Sequence, residues 1–177
     1  MLTCNKIEAY IKSLLDLQNL TTHKSVFNYL ELDEWDLIEK HFDTYIYQSP
    51  CEKYILRVEK DFSDYGHHLF VKHAQKFQEN PYMPKIFWYA ENECINFTFM
   101  EYLQPLNKKH SVFKDIEDSF PLGAKEVDPV LTNDNHLEEA LHAISELVVS
   151  KKLESDISLK NIMQRPNGQA VFIDPVV

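Results

Sequence analysis

The sequence predicts an α+β fold in which strands and helices occupy separate parts of the chain. Three observations predict it. Strand-like apolar runs lie between Thr44 and Met100, one long helical stripe runs from Leu137 to Val148, and a hairpin pattern covers 162–173. The order is helix, strands with one helix, helix and closing hairpin, which differs from the βαβ alternation of a parallel sheet.

Most strand signals lie in the first hundred residues. Apolar residues at helical spacing predict an opening helix over 7–15, and a second helix over 70–77 ends before Asn80-Pro81. The predicted strands are 44–47, 54–58, 86–89 and 95–100. In the last of them apolar residues alternate with Asn96 and Thr98, which predicts a sheet with one buried face.

The second part is predicted to be mostly helical. Residues 104–135 form a connecting region with one short helix near 112–120, and the stripe from Leu137 to Val148 forms a longer helix. Asn167-Gly168 lies between two apolar runs, which predicts a two-residue type I′ hairpin turn.

Composition limits the classes of function. The chain has 177 residues, 44% of them apolar, which suits one domain with a real core. Its formal net charge is -10, which disfavours nucleic-acid binding because phosphate backbones repel such a surface. An acidic mimic of DNA stays open as a weaker alternative.

The sequence predicts a cytoplasmic protein without membrane association. The opening segment lacks the unbroken apolar core of a signal peptide, and no apolar run approaches the length of a membrane span. The three cysteines form no CxxC pair, so we expect neither a structural zinc site nor a disulfide framework.

Three polar residues near the hairpin form a candidate site. With the turn centred on Asn167-Gly168, Asn161 faces Asp174 across the strands. Amide and carboxylate oxygens are ligands that suit Mg²⁺ when phosphates complete its shell. Asp156, in the loop before Asn161, could orient an attacking hydroxyl and accept its proton.

This stretch resembles a known family. Asp156-Ile-Ser-Leu-Lys-Asn161 matches the D-x-x-x-x-N catalytic loop of protein-kinase-like enzymes, and Asp174 stands where they place a second metal-binding aspartate. The phrase SDISLKNIMQRPNGQAVFIDPVV resembles the early serine/threonine protein kinases of short-tailed bacteriophages, and the likeness covers roughly residues 37–177.

The resemblance implies a minimal, truncated two-lobed kinase-like fold within a single domain, 1–177. About 1–100 would form the small lobe with its N-terminal helix, and about 104–177 a reduced large lobe ending just after the metal-binding aspartate. The cofactors would be ATP and Mg²⁺. The implied roles are catalytic for Asp156, metal-binding for Asn161 and Asp174, phosphate contact for Arg57, and purine binding by the backbone of the linker from Glu101 to Leu103.

The sequence also departs from the family pattern. Arg57 replaces the strand lysine, and arginine is bulkier and forked. Ile38 and Lys40 stand where the glycine-rich loop is expected, and Glu154 replaces the histidine before the catalytic aspartate. No helix glutamate is identified as a partner of Arg57, and the sequence ends three residues after Asp174, before the place where the family has its activation segment.

Two hypotheses follow, besides the acidic mimic. The first is a phage-type kinase that transfers the ATP γ-phosphate to serine or threonine of a host protein, in the host cytoplasm. The alternative is a pseudokinase that inhibits a host protein by binding it. Two other groups are predicted to be structural: His67, His68 and His73 as packing or solvated residues, and the aromatic cluster of Phe87, Trp88, Tyr89, Phe97 and Phe99 as sheet core.

Overall fold

The computed structural model describes residues 7–20, 22–60, 65–92, 94–106 and 134–177. The fold is α+β, as predicted. The chain divides into two compact units, one comprising Met1–Asp64 and Ile86–Tyr102, the other Tyr65–Lys85 and Leu103–Val177. The short helix expected near 112–120 lies outside the described residues. Within the described ranges, no helix is long and apolar enough to cross a membrane.

In the part of the first unit that the structure describes, two helices accompany a five-stranded antiparallel sheet. The sheet order is β1-β2-β3-β5-β4. The strands β2 to β5 were predicted, whereas α2 and β1 were not. The elements are α1 (Ile7–Leu14), a 3₁₀ turn (Leu15–Asn19), α2 (His23–Leu32), β1 (Asp36–His41), β2 (Thr44–Gln48), β3 (Tyr54–Lys60), β4 (Ile86–Glu91) and β5 (Ile95–Glu101).

One sheet face and the helical segment form the core of this unit. Alternate strand residues point to the same face, so the apolar positions of β3 and β5 are buried together with residues of the two helices. The Phe99 ring lies 5.4 Å from Tyr54 and 5.6 Å from Phe87, in aromatic packing. The prediction that this aromatic cluster is sheet core is confirmed for Phe97 and Phe99, which are fully buried.

Two expectations about the first unit are wrong. The strand β5 has both faces buried, since Asn96 and Thr98 are only 1% and 2% exposed. The apolar and polar residues of β5 therefore lie on two opposite faces that are both buried, and neither face is exposed to solvent. In addition, Cys51 is disulfide-bonded, whereas the cysteine pattern indicated no disulfide framework.

Among its described residues, the second unit contains two helices and a three-stranded sheet of order β6-β7-β8. The predicted stripe of α4 is buried, from Leu137 to Val148. Asp134 caps this helix through hydrogen bonds from two backbone N–H groups, and Lys152 ends it with a φ of 58°. The elements are α3 (Tyr65–Ala74), a 3₁₀ turn (Gln75–Phe77), β6 (Gln104–Pro105), α4 (Asn135–Lys151), a 3₁₀ turn (Leu159–Asn161), β7 (Ile162–Gln164) and β8 (Ala170–Phe172).

The closing hairpin exists, but its predicted turn is wrong. Ile162 pairs with Phe172, one residue out of the predicted register. The turn is closed by the Gly168 N–H donating to the Arg165 carbonyl at 2.8 Å, with Pro166 in its second position, where the fixed φ of proline fits. Gly168 has a φ of 86°, whereas Asn167 does not have the positive φ that a type I′ turn requires.

Candidate active site

The last residues of the chain leave β8 and pair with the loop that follows α4. Glu154 and Val177 exchange two backbone hydrogen bonds of 2.9 Å each, and the Asp156 N–H donates to the Pro175 carbonyl at 2.8 Å. Ser155 forms an antiparallel bridge with Val176 between them. Asp174 therefore lies between two backbone pairings, that of β8 with β7 and that of residues 175–177 with the loop after α4. It directly precedes Pro175, which pairs with Asp156.

Asn161 connects these two backbone pairings. Its side-chain Nδ2 donates to the Asp156 carbonyl at 2.8 Å, and its own carbonyl accepts from the Ile173 N–H at 3.0 Å. The predicted direct pairing of Asn161 with Asp174 is wrong, because the turn shifts the register by one. The hydrogen bonds nevertheless bring Asp156, Asn161 and Asp174 into one corner of the second unit.

The two carboxylates of this corner are mostly shielded from solvent. The side chains of Asp156 and Asp174 are 17% and 20% exposed. Lys160 places its Nζ 3.2 Å from Asp156 Oδ2, but its side chain is 73% exposed, so the pair contributes little stability. The Nδ1 of His67, on α3, lies 3.4 Å from Asp174 Oδ1.

Sequence reasoning missed both of these neighbours. Lys160 carried a usable signal, because it follows Asp156 by four residues inside the matched motif. His67 carried none, since its contact with Asp174 depends on tertiary structure. His67 is buried, which fits the prediction of a packing histidine, but it packs against a candidate site residue.

The donor atoms present fit a magnesium ion held jointly with phosphates. Asn161 uses Nδ2 in its hydrogen bond to Asp156, and its Oδ1 and the Asp174 carboxylate are oxygen ligands of the kind that Mg²⁺ takes. The buried hydroxyls of Ser155 and Ser158 have no hydrogen-bond partner within the described chain, and such groups mark places that water or a ligand completes. Among the described residues, no three His, Cys, Asp or Glu side chains converge as a metal cage.

Arg57 lies in the first unit, on β3, and its partner was not foreseen. Its Nε donates to Glu59 Oε1 at 2.6 Å, and its Nη2 lies 2.5 Å from the same oxygen. The two side chains share a sheet face because they are two residues apart on one strand. The carboxylate that pairs with Arg57 therefore belongs to Glu59 on the same strand, and not to a helix. The Glu59 side chain is 2% exposed.

The sheet face around Arg57 is polar. In the ladder Arg57 stands opposite Thr98, which stands opposite Tyr89 of β4. Burial, followed by the hydrogen bond to Glu91, raises the pKa of Tyr89 well above its usual range.

The predicted linker residues belong to different units. Glu101 ends β5 opposite Tyr54, and the Tyr102 N–H donates to the Lys53 carbonyl at 2.8 Å. Leu103 is buried at 4% exposure and falls in the second unit. Their role in purine binding stays a prediction.

The β1–β2 hairpin occupies the place expected for the glycine-rich loop. Phe42, at its tip, is 84% exposed and has a φ of 47°, a conformation that is rare for a bulky residue. Ile38 lies at a register irregularity of β1 and is 46% exposed. Side chains therefore surround this backbone, which glycine would leave open to a phosphate.

Comparison with known proteins finds little similarity. No protein-family model matches the chain, and no curated protein matches it. Among solved structures it is similar to the bifunctional kinase-methyltransferase WbdD, with 16% identity and a TM-score of 0.39 over 76% of this chain. The match covers 30% of the WbdD chain, so this protein corresponds to less than a third of that structure. At this TM-score the similarity supports no argument about activity.

Proposed function

We propose that the protein binds Mg·ATP and transfers the γ-phosphate to a serine or threonine hydroxyl of a host protein, in the host cytoplasm. The observation that carries the proposal is the convergence of Asp156, Asn161 and Asp174 through two hydrogen bonds of 2.8 Å, from Asp156 to Pro175 and from Asn161 to Asp156. The resemblance of this stretch to phage protein kinases supports the choice of reaction.

Each residue has one task in this proposal. The Asp156 carboxylate accepts the proton of the attacking hydroxyl while that oxygen bonds to the γ-phosphorus and the bond to the ADP oxygen breaks. Asn161 Oδ1 and the Asp174 carboxylate would hold Mg²⁺ against the phosphates. The metal supplies charge neutralisation to the transferred group, and the protein supplies positioning.

A second candidate is a pseudokinase that inhibits a host protein by binding it. Two observations favour it. The Arg57 charge is already compensated by Glu59, so it is only partly available to a phosphate. The β1–β2 hairpin also carries Phe42 at its tip, in the place of a glycine-rich loop.

The decisive test replaces Asp156 by asparagine, which keeps the shape and removes the charge. We expect phosphoryl transfer from radiolabelled ATP, to the protein itself or to proteins of a bacterial extract, to fall by at least about a hundredfold. Affinity for Mg·ATP should stay nearly unchanged, because alignment of the hydroxyl acts on turnover. The matched control is Glu154→Gln, an exposed carboxylate in the same loop that keeps its backbone pairing.

The outcomes separate the candidates. Full transfer by Asp156→Asn would remove Asp156 from the mechanism. Binding of Mg·ATP by the wild-type protein without transfer would favour the pseudokinase. Absence of Mg·ATP binding by the wild type would refute the proposed kinase activity.

A further inference from the structure

The first turn of α3 approaches the end of the chain more closely than a side chain permits. A Cβ added at Gly66 would lie 2.5 Å from the Val176 carbonyl oxygen and 2.9 Å from the Val177 Cα. Both contacts are with backbone, which cannot rotate away. Glycine in a helix costs about 0.5–1 kcal/mol relative to alanine, so its presence here has a steric reason.

This close approach places the next residue, His67, at the candidate metal ligand. The His67 side chain is 3% exposed, and its Nδ1 lies 3.4 Å from Asp174 Oδ1. This separation is long for a hydrogen bond, and such contacts often shorten when a site is occupied. Asp174 thus has α3 on one side, while the residues that follow it are held by their pairing with the loop at Asp156.

We infer that Gly66 and His67 are positioning residues that set the orientation of the Asp174 carboxylate and thereby the affinity for Mg²⁺. The inference rests on the proposed function, since it concerns the same metal site. Its physical basis is that groups hydrogen-bonded to a ligating side chain orient it, and their loss typically costs about 10–100-fold in metal affinity.

The test compares two substitutions of His67. His67→Leu removes the nitrogen facing Asp174, whereas His67→Asn retains an N–H donor near the position of Nδ1. Mg²⁺ is titrated into protein with a fixed concentration of ATP, and binding is followed by calorimetry. We expect His67→Leu to weaken the apparent Mg²⁺ affinity by about tenfold and His67→Asn to recover most of it.

Two controls separate positioning from general stability. His73→Leu replaces another histidine of α3, which packs against Phe77 with ring centroids 5.1 Å apart, and should leave the Mg²⁺ affinity unchanged. Thermal unfolding of every variant is measured alongside. If His67→Leu and His67→Asn lose stability alike while Mg²⁺ affinity stays at the wild-type value, the role of His67 is structural and the inference is wrong.

The inference and the proposed function fail in different ways. If the wild type binds Mg·ATP and His67→Leu binds it equally well, the inference alone is refuted. If the wild type binds no Mg·ATP, the proposed function is refuted and the inference falls with it. Gly66→Ala should weaken Mg²⁺ binding in the same direction, and the His67 variants decide the matter if that protein does not fold.

Discussion

Replacing Arg57 by methionine should destabilise the first unit by about 3–5 kcal/mol, the usual cost of leaving one member of a buried ion pair unpaired. The reason is the burial of its partner. The Glu59 side chain is 2% exposed, so its carboxylate cannot recover hydration when the guanidinium is removed.

The opposite substitution should cost less. Glu59→Gln leaves a guanidinium whose side chain is 14% exposed and can reach water along its flexible stem. We expect a loss of about 1.5–3 kcal/mol, the range for a hydrogen bond to a charged group. The double variant Arg57→Met with Glu59→Leu should be close to neutral, since apolar residues often replace a buried pair without loss.

Urea unfolding of the wild type, the two single variants and the double variant gives the coupling free energy of the pair. A larger loss for Glu59→Gln than for Arg57→Met would refute the reasoning from burial. A double variant less stable than either single variant would show that the pair stabilises the fold beyond mutual neutralisation.

Two further predictions concern the second unit. Gly66→Ala should destabilise this unit by about 1–3 kcal/mol, the range for overpacking, although alanine favours a helix. Thermal unfolding measures the change. A gain in stability would contradict the close contact of Gly66 with Val176. The hydrogen bond from Tyr82 is the main cause that lowers the Asp134 pKa. The stability that this lowered pKa adds to the folded protein is therefore fully present above the pKa of Asp134 in the unfolded chain, about 3.9. It is lost as the pH falls through the pKa of Asp134 in the folded protein. Asp134→Asn still caps α4 but does not titrate, so its unfolding free energy relative to the wild type should change only below about pH 4.

Local patterns predicted most of the elements. The apolar stripe of α4 and the strands from β2 to β5 follow from periodicity, because burial of one face dictates the spacing of apolar residues. The grouping of Asp156 and Asn161 followed from their spacing in one motif, which the bond from Asn161 Nδ2 to the Asp156 carbonyl confirms.

The wrong or missing predictions concern features of the structure that competing local signals or tertiary contacts determine. Pro166 and Gly168 together form a longer turn than Asn167-Gly168 alone, and one residue of slip changes which residues face each other. The buried polar residues of β5 could not be distinguished from solvent-facing ones, since alternation looks the same in both cases. The contact of His67 with Asp174 joins distant parts of the chain, and no local pattern encodes it.

The most direct test of the metal site is calorimetric titration of ATP into the wild type and into Asp174→Ala, each with and without Mg²⁺. We expect Mg²⁺ to strengthen ATP binding by the wild type, and we expect Asp174→Ala to lose this increment while its binding of ATP alone is unchanged. Two side-chain oxygens cannot fill an octahedral shell, so neither protein should bind Mg²⁺ tightly without nucleotide. Equal affinity of Asp174→Ala and the wild type for Mg·ATP would contradict the assignment of the site.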